Sequence, residues 1–200
     1  MSFDSVEYWR KRYATGGNSG AGSYGALADF KADSLNAFIA DNHIETAIEF
    51  GSGDGNQLKS IKVARYIGLD VSPTTIENTK VMYASDPSKS FHVYDPDSFK
   101  VDQSLISDIA ISMDVILHLT EDERYEAYLR NLVDCSRKFL GVFNTATEQQ
   151  LPKMASHNRF RDHRIWLEEN TQEFEEVRVD ILPTELNYPV GTGFYYYQRK

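Results

Sequence analysis

Apolar and polar residues change rhythm twice along this chain of 200 residues. Residues 5–13 fit a short amphipathic helix carrying Tyr8, Trp9 and Tyr13, and Leu27, Phe30, Leu35, Phe38 and Ile39 fall near helical spacing over 27–40. From residue 44 short apolar runs alternate with helical stretches. Ile44–Phe50, Tyr66–Asp70, Phe91–Asp95, Ile109–Met113 and Phe139–Asn144 read as five strands. A helix is expected near Asn56. Ser72 is a natural N-cap with Pro73 at the first helical position, opening a helix to about Ala84. Thr120 and Glu123 have capping-box spacing before Tyr125, Tyr128, Leu129, Leu132 and Val133, which share one helical face. Near the end, Val177, Val179 and Ile181 alternate, and Phe194–Tyr197 follows after a turn region, with no room for a crossover helix. That last pair is therefore expected to be antiparallel.

Strand–helix alternation predicts a parallel sheet covered on both faces. The expected fold class is α/β: a Rossmann-like, seven-stranded, mostly parallel sheet with helices on both faces and an antiparallel C-terminal strand pair. Residues 1–40 are expected to supply N-terminal helices and a glycine-rich lid, and 41–200 the main domain, in one structural unit.

Between the first strand and the following segment stands Glu49-Phe50-Gly51-Ser52-Gly53-Asp54-Gly55. Glycines there let the backbone approach a ligand at a switch point of the sheet. A dinucleotide enzyme would place a third glycine where Asn56 stands, so the G-x-G-x-x-G fingerprint is broken. The acid two residues before Gly51 suits a cationic amino acid moiety better than a pyrophosphate. Asp70 ends the second strand, where a carboxylate accepts from ribose hydroxyls, the alternative being a solvent-facing turn. Asp95 ends the third and could accept from an adenine amino group, although Asp95-Pro96-Asp97 is also a good turn. Tyr94, before it, fits an adenine pocket or plain strand packing.

These features resemble the donor site of class I S-adenosylmethionine-dependent methyltransferases. Trp9–Tyr13, Gly16–Gly25 leading to Leu27–Lys31, Asp114-Val115-Ile116-Leu117-His118-Leu119 and His157–Trp166 further resemble a group of small bacterial and phage methyltransferases, many near polysaccharide genes. Phe160 and His163 depart from that group's pattern. The resemblance implies S-adenosyl-L-methionine as methyl donor, with S-adenosyl-L-homocysteine as product. It implies donor contacts at Glu49, Gly51, Ser52, Gly53, Asp70, Val71, Asp95 and Met113, with Tyr13 and Tyr24 beside the Gly16–Gly25 loop, which is either a mobile lid or a linker. His118 is the candidate base, with Asp114 to orient it or to touch the donor; the alternative for His118 is capping or packing the next helix. His157, Arg159, Arg161 and Arg164 are the candidate acceptor residues. Three arginines and two histidines in eight positions could hold a phosphate or carboxylate, or form a solvated helix face.

Composition narrows the field. A net charge of −9 argues against a nucleic-acid partner. No apolar run approaches the roughly 20 residues needed to span a bilayer, and the N-terminus lacks a secretory signal, so a cytoplasmic location is expected. The single Cys135 allows no intrachain disulfide, and no metal site is expected. Ser112-Met113-Asp114-Val115 is not the N/D-P-P-Y/F of adenine and glutamine N-methyltransferases. No Pro-Cys pair suits a cytosine-C5 enzyme, and no acidic cluster suits a magnesium-dependent one. The expected function is O-methylation, ahead of N-methylation, of a sugar, glycan or other small anionic acceptor. The alternatives are a donor-binding regulatory protein without turnover and a nicotinamide-dependent reductase. Nothing in the sequence sets an oligomeric state.

Overall fold

The computed structural model describes residues 3–200. In chain order the elements are α1 (Ser5–Ala14), α2 (Gly25–Asp41), β1 (Thr46–Phe50), β2 (Arg65–Asp70), α3 (Pro73–Met82), β3 (Lys89–Val93), β4 (Ser107–Met113), α4 (Asp122–Asp134), β5 (Ser136–Thr145), α5 (His163–Asn170), β6 (Phe174–Ile181) and β7 (Thr192–Arg199). Seven strands form one sheet in the order β3-β2-β1-β4-β5-β7-β6. The first five are parallel, and β7 runs antiparallel to both β5 and β6. The expected fold class and antiparallel terminal pair are both present.

Alternation along the central strands sorts side chains between two apolar layers. Ile109 and Ile111 of β4 enter one layer with α2 residues Leu35 and Phe38, while Ala110 enters the other with α4 residues Tyr128, Leu129 and Leu132. On β7, Phe194 and Tyr196 face the α2 side and Tyr195 and Tyr197 face α4 and α5. Tyr196 stacks on Phe38 at 4.0 Å and on Phe194 at 4.6 Å. All seven residues of β4 are buried, so the strand ends that carry the site project from the most rigid part of the molecule.

Three local expectations are corrected. The helix near Asn56 is a single 3₁₀ turn, Gln57–Ser60, because residues 56–64 must also return the chain to the start of β2. Thr120 does not cap α4. Glu121 is the N-cap, Thr120 Oγ1 donates to its carboxylate, and that carboxylate accepts from Ser5 N and Oγ (2.8 and 3.0 Å) rather than from its own helix. Docking of α1 has thus displaced the local cap. The third strand lies two residues earlier than expected, leaving Tyr94 and Asp95 in the loop after it. Ser72 caps α3 as expected, accepting from Thr75 N at 3.3 Å, with Pro73 following.

Candidate donor and acceptor site

A cleft with about 910 Å³ of unfilled space, including its solvent-filled mouth, opens at the C-terminal ends of β1, β2 and β4. That volume suits a nucleoside-sized ligand. Its floor is the loop after β1. Gly51 N and Ser52 N both donate to Leu69 O (2.7 and 2.9 Å), turning the chain sharply across the end of β2. Gly51 has φ +82°, and a Cβ there would collide with Val115 Cγ2. Gly53 has φ +59°, and a Cβ there would collide with Ser19 Oγ. Both positions therefore require glycine, for backbone conformation and for space.

Two acids sit under this loop. Glu49 is 3% exposed, and the hydroxyl of Tyr66 donates to its carboxylate. Burial pushes the Glu49 carboxyl up to about 7, against the opposing influence of the Tyr66 hydrogen bond and the Lys31 charge. Asp70 is 5% exposed and joins the glycine loop to the turn before α3, accepting from Gly53 N at 3.0 Å and Ser72 N at 2.9 Å. Burial raises it to about 6, although both backbone N–H groups favour its charged form. Beside them, Ser52 Oγ and Gln57 Oε1 are buried without a hydrogen-bond partner, and both residues line the cleft. Buried polar atoms normally find partners, so these fit a site built for a polar ligand.

α1 lies across the mouth. Arg10 Nε donates to Val71 O (2.9 Å), Ser5 is held by Glu121, and Arg124 NH1 pairs with Asp4 at 2.7 Å. Val6, Trp9 and Tyr13 line the cleft from this helix. The glycine-rich segment folds onto the donor loop: Ser19 N donates to Asp54 Oδ2 (2.9 Å), Asp54 N to Ser19 Oγ (2.9 Å), and Tyr24 OH to Asp54 Oδ2 (2.7 Å). Tyr13 OH completes this latch at 2.9 Å from Ser19 Oγ.

The opposite wall follows β4. Asp114 has φ +58°, and its carboxylate pairs with Lys31 at 2.6 Å. It makes no hydrogen bond to His118 among the described residues. His118 is oriented instead by its Nδ1, 3.2 Å from the carbonyl oxygen of His157. A carbonyl only accepts, so Nδ1 carries the proton and Nε2 keeps its lone pair. Burial lowers His118 to about 4, and the imidazole is neutral at pH 7. Trp9 meets its ring edge-on at 4.8 Å, and His157 stacks on Tyr8 at 4.7 Å.

Of the residues singled out in the sequence, Tyr13, Glu49, Gly51, Ser52, Gly53, Asp70, Val71, Met113, Asp114 and His118 line this one cleft. Tyr24 adjoins it through Asp54. Asp95 does not line it: its side chain accepts from Asp97 N and Ser98 Oγ in an exposed turn, while Tyr94 and Pro96 on either side do line it. His157 reaches the site only through His118. The three arginines stand apart. Arg159 and Arg161 share Asp122 at 2.8 and 2.6 Å, and the Arg161 guanidinium lies 4.4 Å over the Tyr125 ring. Arg164 pairs with Asp162 at 2.6 Å, at the start of α5. His163 is buried, 2.9 Å from Tyr197 OH.

Sequence reasoning missed Lys31, Asp54, Gln57 and Arg124 as cleft residues. Lys31 did leave a signal: it interrupts the apolar stripe Leu27, Leu35 and Phe38 at a core-facing position. Asp54 and Gln57 left none, because their roles depend on contacts with residues 18–28.

No family model matches the chain, and no curated protein matches it by sequence. Solved structures share its fold. Magnesium protoporphyrin IX methyltransferase (ChlM) from Synechocystis PCC 6803 with bound SAM is 18% identical with a TM-score of 0.68, over 100% of this chain and 99% of that one. N-methyltransferase NodS from Bradyrhizobium japonicum WM9, in complex with S-adenosyl-L-homocysteine, is 12% identical with a TM-score of 0.74, over 98% and 99%. The small RNA methyltransferase HEN1 is 15% identical with a TM-score of 0.64, over 86% of this chain and 25% of that one. The chain has the seven-stranded fold found in these methyltransferases. Their varied names also show that the fold by itself does not select an acceptor.

Proposed function

We propose that this protein is an S-adenosyl-L-methionine-dependent methyltransferase acting on a hydroxyl of a small acceptor, with a sugar or glycan as the favoured class. The observation that carries the donor reading is the cleft beneath the glycine loop. There two buried carboxylates and two unpartnered buried polar atoms surround a space of nucleoside size. Asp70 suits the ribose hydroxyls, Tyr94 and Pro96 the adenine, and Glu49 the ammonium of the amino acid end. Ser52 Oγ offers a further polar contact. When bound, the donor supplies a methyl group on a positively charged sulfur, open to attack by an oxygen nucleophile.

The chain then has to align an acceptor, exclude water and take up one proton. His118 suits the last task, since its Nδ1–H is committed to the His157 carbonyl and its Nε2 lone pair is free to accept a hydroxyl proton. Tyr8, Trp9 and His157 give this end of the cleft flat aromatic walls, which suit the apolar face of a sugar ring. Arg159, Arg161 and Arg164 are engaged with Asp122 and Asp162, so a strongly anionic acceptor has less support than a neutral one. α1 and the 16–25 segment, latched to Asp54, suit a cover over the donor. A donor-binding protein without turnover and a nicotinamide-dependent reductase are outcomes of the test.

Calorimetry with S-adenosyl-L-homocysteine and with NAD decides the donor, and binding of NAD alone would overturn the reading. Methyl transfer is then followed across neutral sugars, nucleotide sugars and glycans. His118→Ala is expected to keep donor affinity and lose about 100-fold or more in turnover. Unchanged turnover would remove His118 as the base.

A further inference from the structure

Lys31 sits in the middle of the buried face of α2 and is only 1% exposed. Its ammonium carries three N–H donors. Among the described residues one of them has a hydrogen-bond partner, Asp114 Oδ2 at 2.6 Å, and the Phe143 ring lies 5.3 Å away. A buried ion pair costs several kcal/mol of desolvation per ion, and hydrophobic replacements are often as stable. Stability of the fold therefore gives no reason to place a lysine here. Asp114 adds to the cost, because its left-handed backbone is a strained conformation of order 1 kcal/mol for a residue with a Cβ.

Lys31 and Asp114 both line the cleft, as do Glu49 and Gln57. Glu49 is near enough to feel the Lys31 charge. Gln57 donates through Nε2 to Ala28 O, on the same helix as Lys31, and leaves Oε1 without a partner. One end of the cleft thus holds a buried cation with two open donors beside a buried acid and a free amide oxygen. That pattern complements a group carrying a carboxylate and an ammonium on adjacent atoms.

We propose that Lys31 and Glu49 form a subsite for a free α-amino acid zwitterion, with Lys31 binding the carboxylate, Glu49 and Gln57 Oε1 binding the ammonium, and Asp114 holding Lys31 in position. The proposal rests on the donor reading and assigns this subsite to the methionyl end of the donor. It makes the protein selective for donor and product over nucleosides that lack the amino acid.

The test compares S-adenosyl-L-homocysteine with 5′-methylthioadenosine, which keeps the nucleoside and thioether but has no amino acid, using calorimetry on the full chain. Wild-type protein should bind the former about 100-fold more tightly, equivalent to about 2.8 kcal/mol. Lys31→Met should remove most of that preference while leaving affinity for 5′-methylthioadenosine within about threefold. Lys31→Arg should restore part of it. Equal weakening of both ligands, or an unchanged preference in Lys31→Met, overturns the proposal. If wild-type protein binds both ligands equally, the zwitterion subsite falls while the donor reading stands. If it binds neither, both fall. Should Lys31→Met not fold, wild-type protein titrated with the analogue of S-adenosyl-L-homocysteine lacking only the carboxylate carries the test. A loss of about 100-fold supports Lys31, and equal affinity overturns it.

Discussion

Donor binding near neutral pH should release protons, with Glu49 as the main source. In the free protein burial holds the Glu49 carboxyl at about 7 instead of 4.5. It faces the Tyr66 hydroxyl, the Lys31 ammonium and the Asp70 carboxyl, and the first two already favour its charged form. A ligand ammonium placed against it adds a further cation, and Glu49 then ionises fully. At pH 7 a group with that pKa is about half protonated, so binding should release about half a proton from Glu49. Asp70, at about 6, adds roughly a tenth if ribose hydroxyls stabilise its charge. The ligand ammonium is charged throughout this range and contributes nothing. Titrating S-adenosyl-L-homocysteine at pH 7 in buffers of different ionisation enthalpy measures the release directly. Glu49→Gln should reduce it to the Asp70 share, and affinity in wild type should rise with pH up to about 7.5. Stability of the free protein moves the opposite way. The folded state holds the Glu49 proton up to about 7 and the unfolded state only to about 4.5, so its stabilising share is present below 4.5 and lost as pH rises through 7. At 1.36 kcal/mol per pKa unit this share is about 3 kcal/mol. No net proton release at pH 7, or the same release from Glu49→Gln, would refute the reasoning.

Two further perturbations separate the parts of the site. Gly53→Ala places a Cβ against Ser19 Oγ at a backbone angle of +59°. It should lower stability by about 1–3 kcal/mol and open the contact between the 16–25 segment and the donor loop, read as faster proteolysis between residues 16 and 22. Unaltered proteolysis would mean that the two loops are not coupled. Arg161→Ala strips a guanidinium from Asp122, the Leu119 and Thr120 carbonyls and the Tyr125 ring. It should cost about 2–4 kcal/mol in denaturant unfolding, whereas the half-exposed Arg164→Ala should cost under about 1 kcal/mol. Turnover per folded molecule should change little in either variant, and a large rise in acceptor KM at full stability would return these arginines to the acceptor site.

The donor half of the cleft was legible because strand ends determine it. Once Ile44–Phe50 and Tyr66–Asp70 are strands of one parallel sheet, Glu49, Gly51, Gly53 and Asp70 must gather at their C-terminal ends, whatever the rest of the chain does. Asp95 broke this rule because β3 ends at Val93, two residues early, which leaves Asp95 to close a turn with Asp97 and Ser98. The missing helix after Gly55 and the displaced cap at Thr120 failed for a related reason. Each is decided by a segment remote in sequence, the return to β2 in one case and the docking of Ser5 on Glu121 in the other.

The acceptor half was not legible, and its geometry shows why. His118 follows β4, the carbonyl that fixes its tautomer belongs to His157, and the rings beside them, Tyr8 and Trp9, come from α1. Three segments separated by more than a hundred residues meet only because α1 crosses the cleft, pinned by Arg10 to Val71 and by Ser5 to Glu121. No local spacing carries that information. The arginine cluster at 159–164, by contrast, is conspicuous in sequence because its residues are contiguous. Contiguity is what lets neighbouring carboxylates, Asp122 and Asp162, absorb its charge into the supports of α4 and α5. The acceptor is therefore better sought from the aromatic walls around His118 than from that basic run. A neutral ring bearing a hydroxyl meets those walls without leaving a buried charge unpaired, and an anionic acceptor would need a cation that Arg159, Arg161 and Arg164 do not supply.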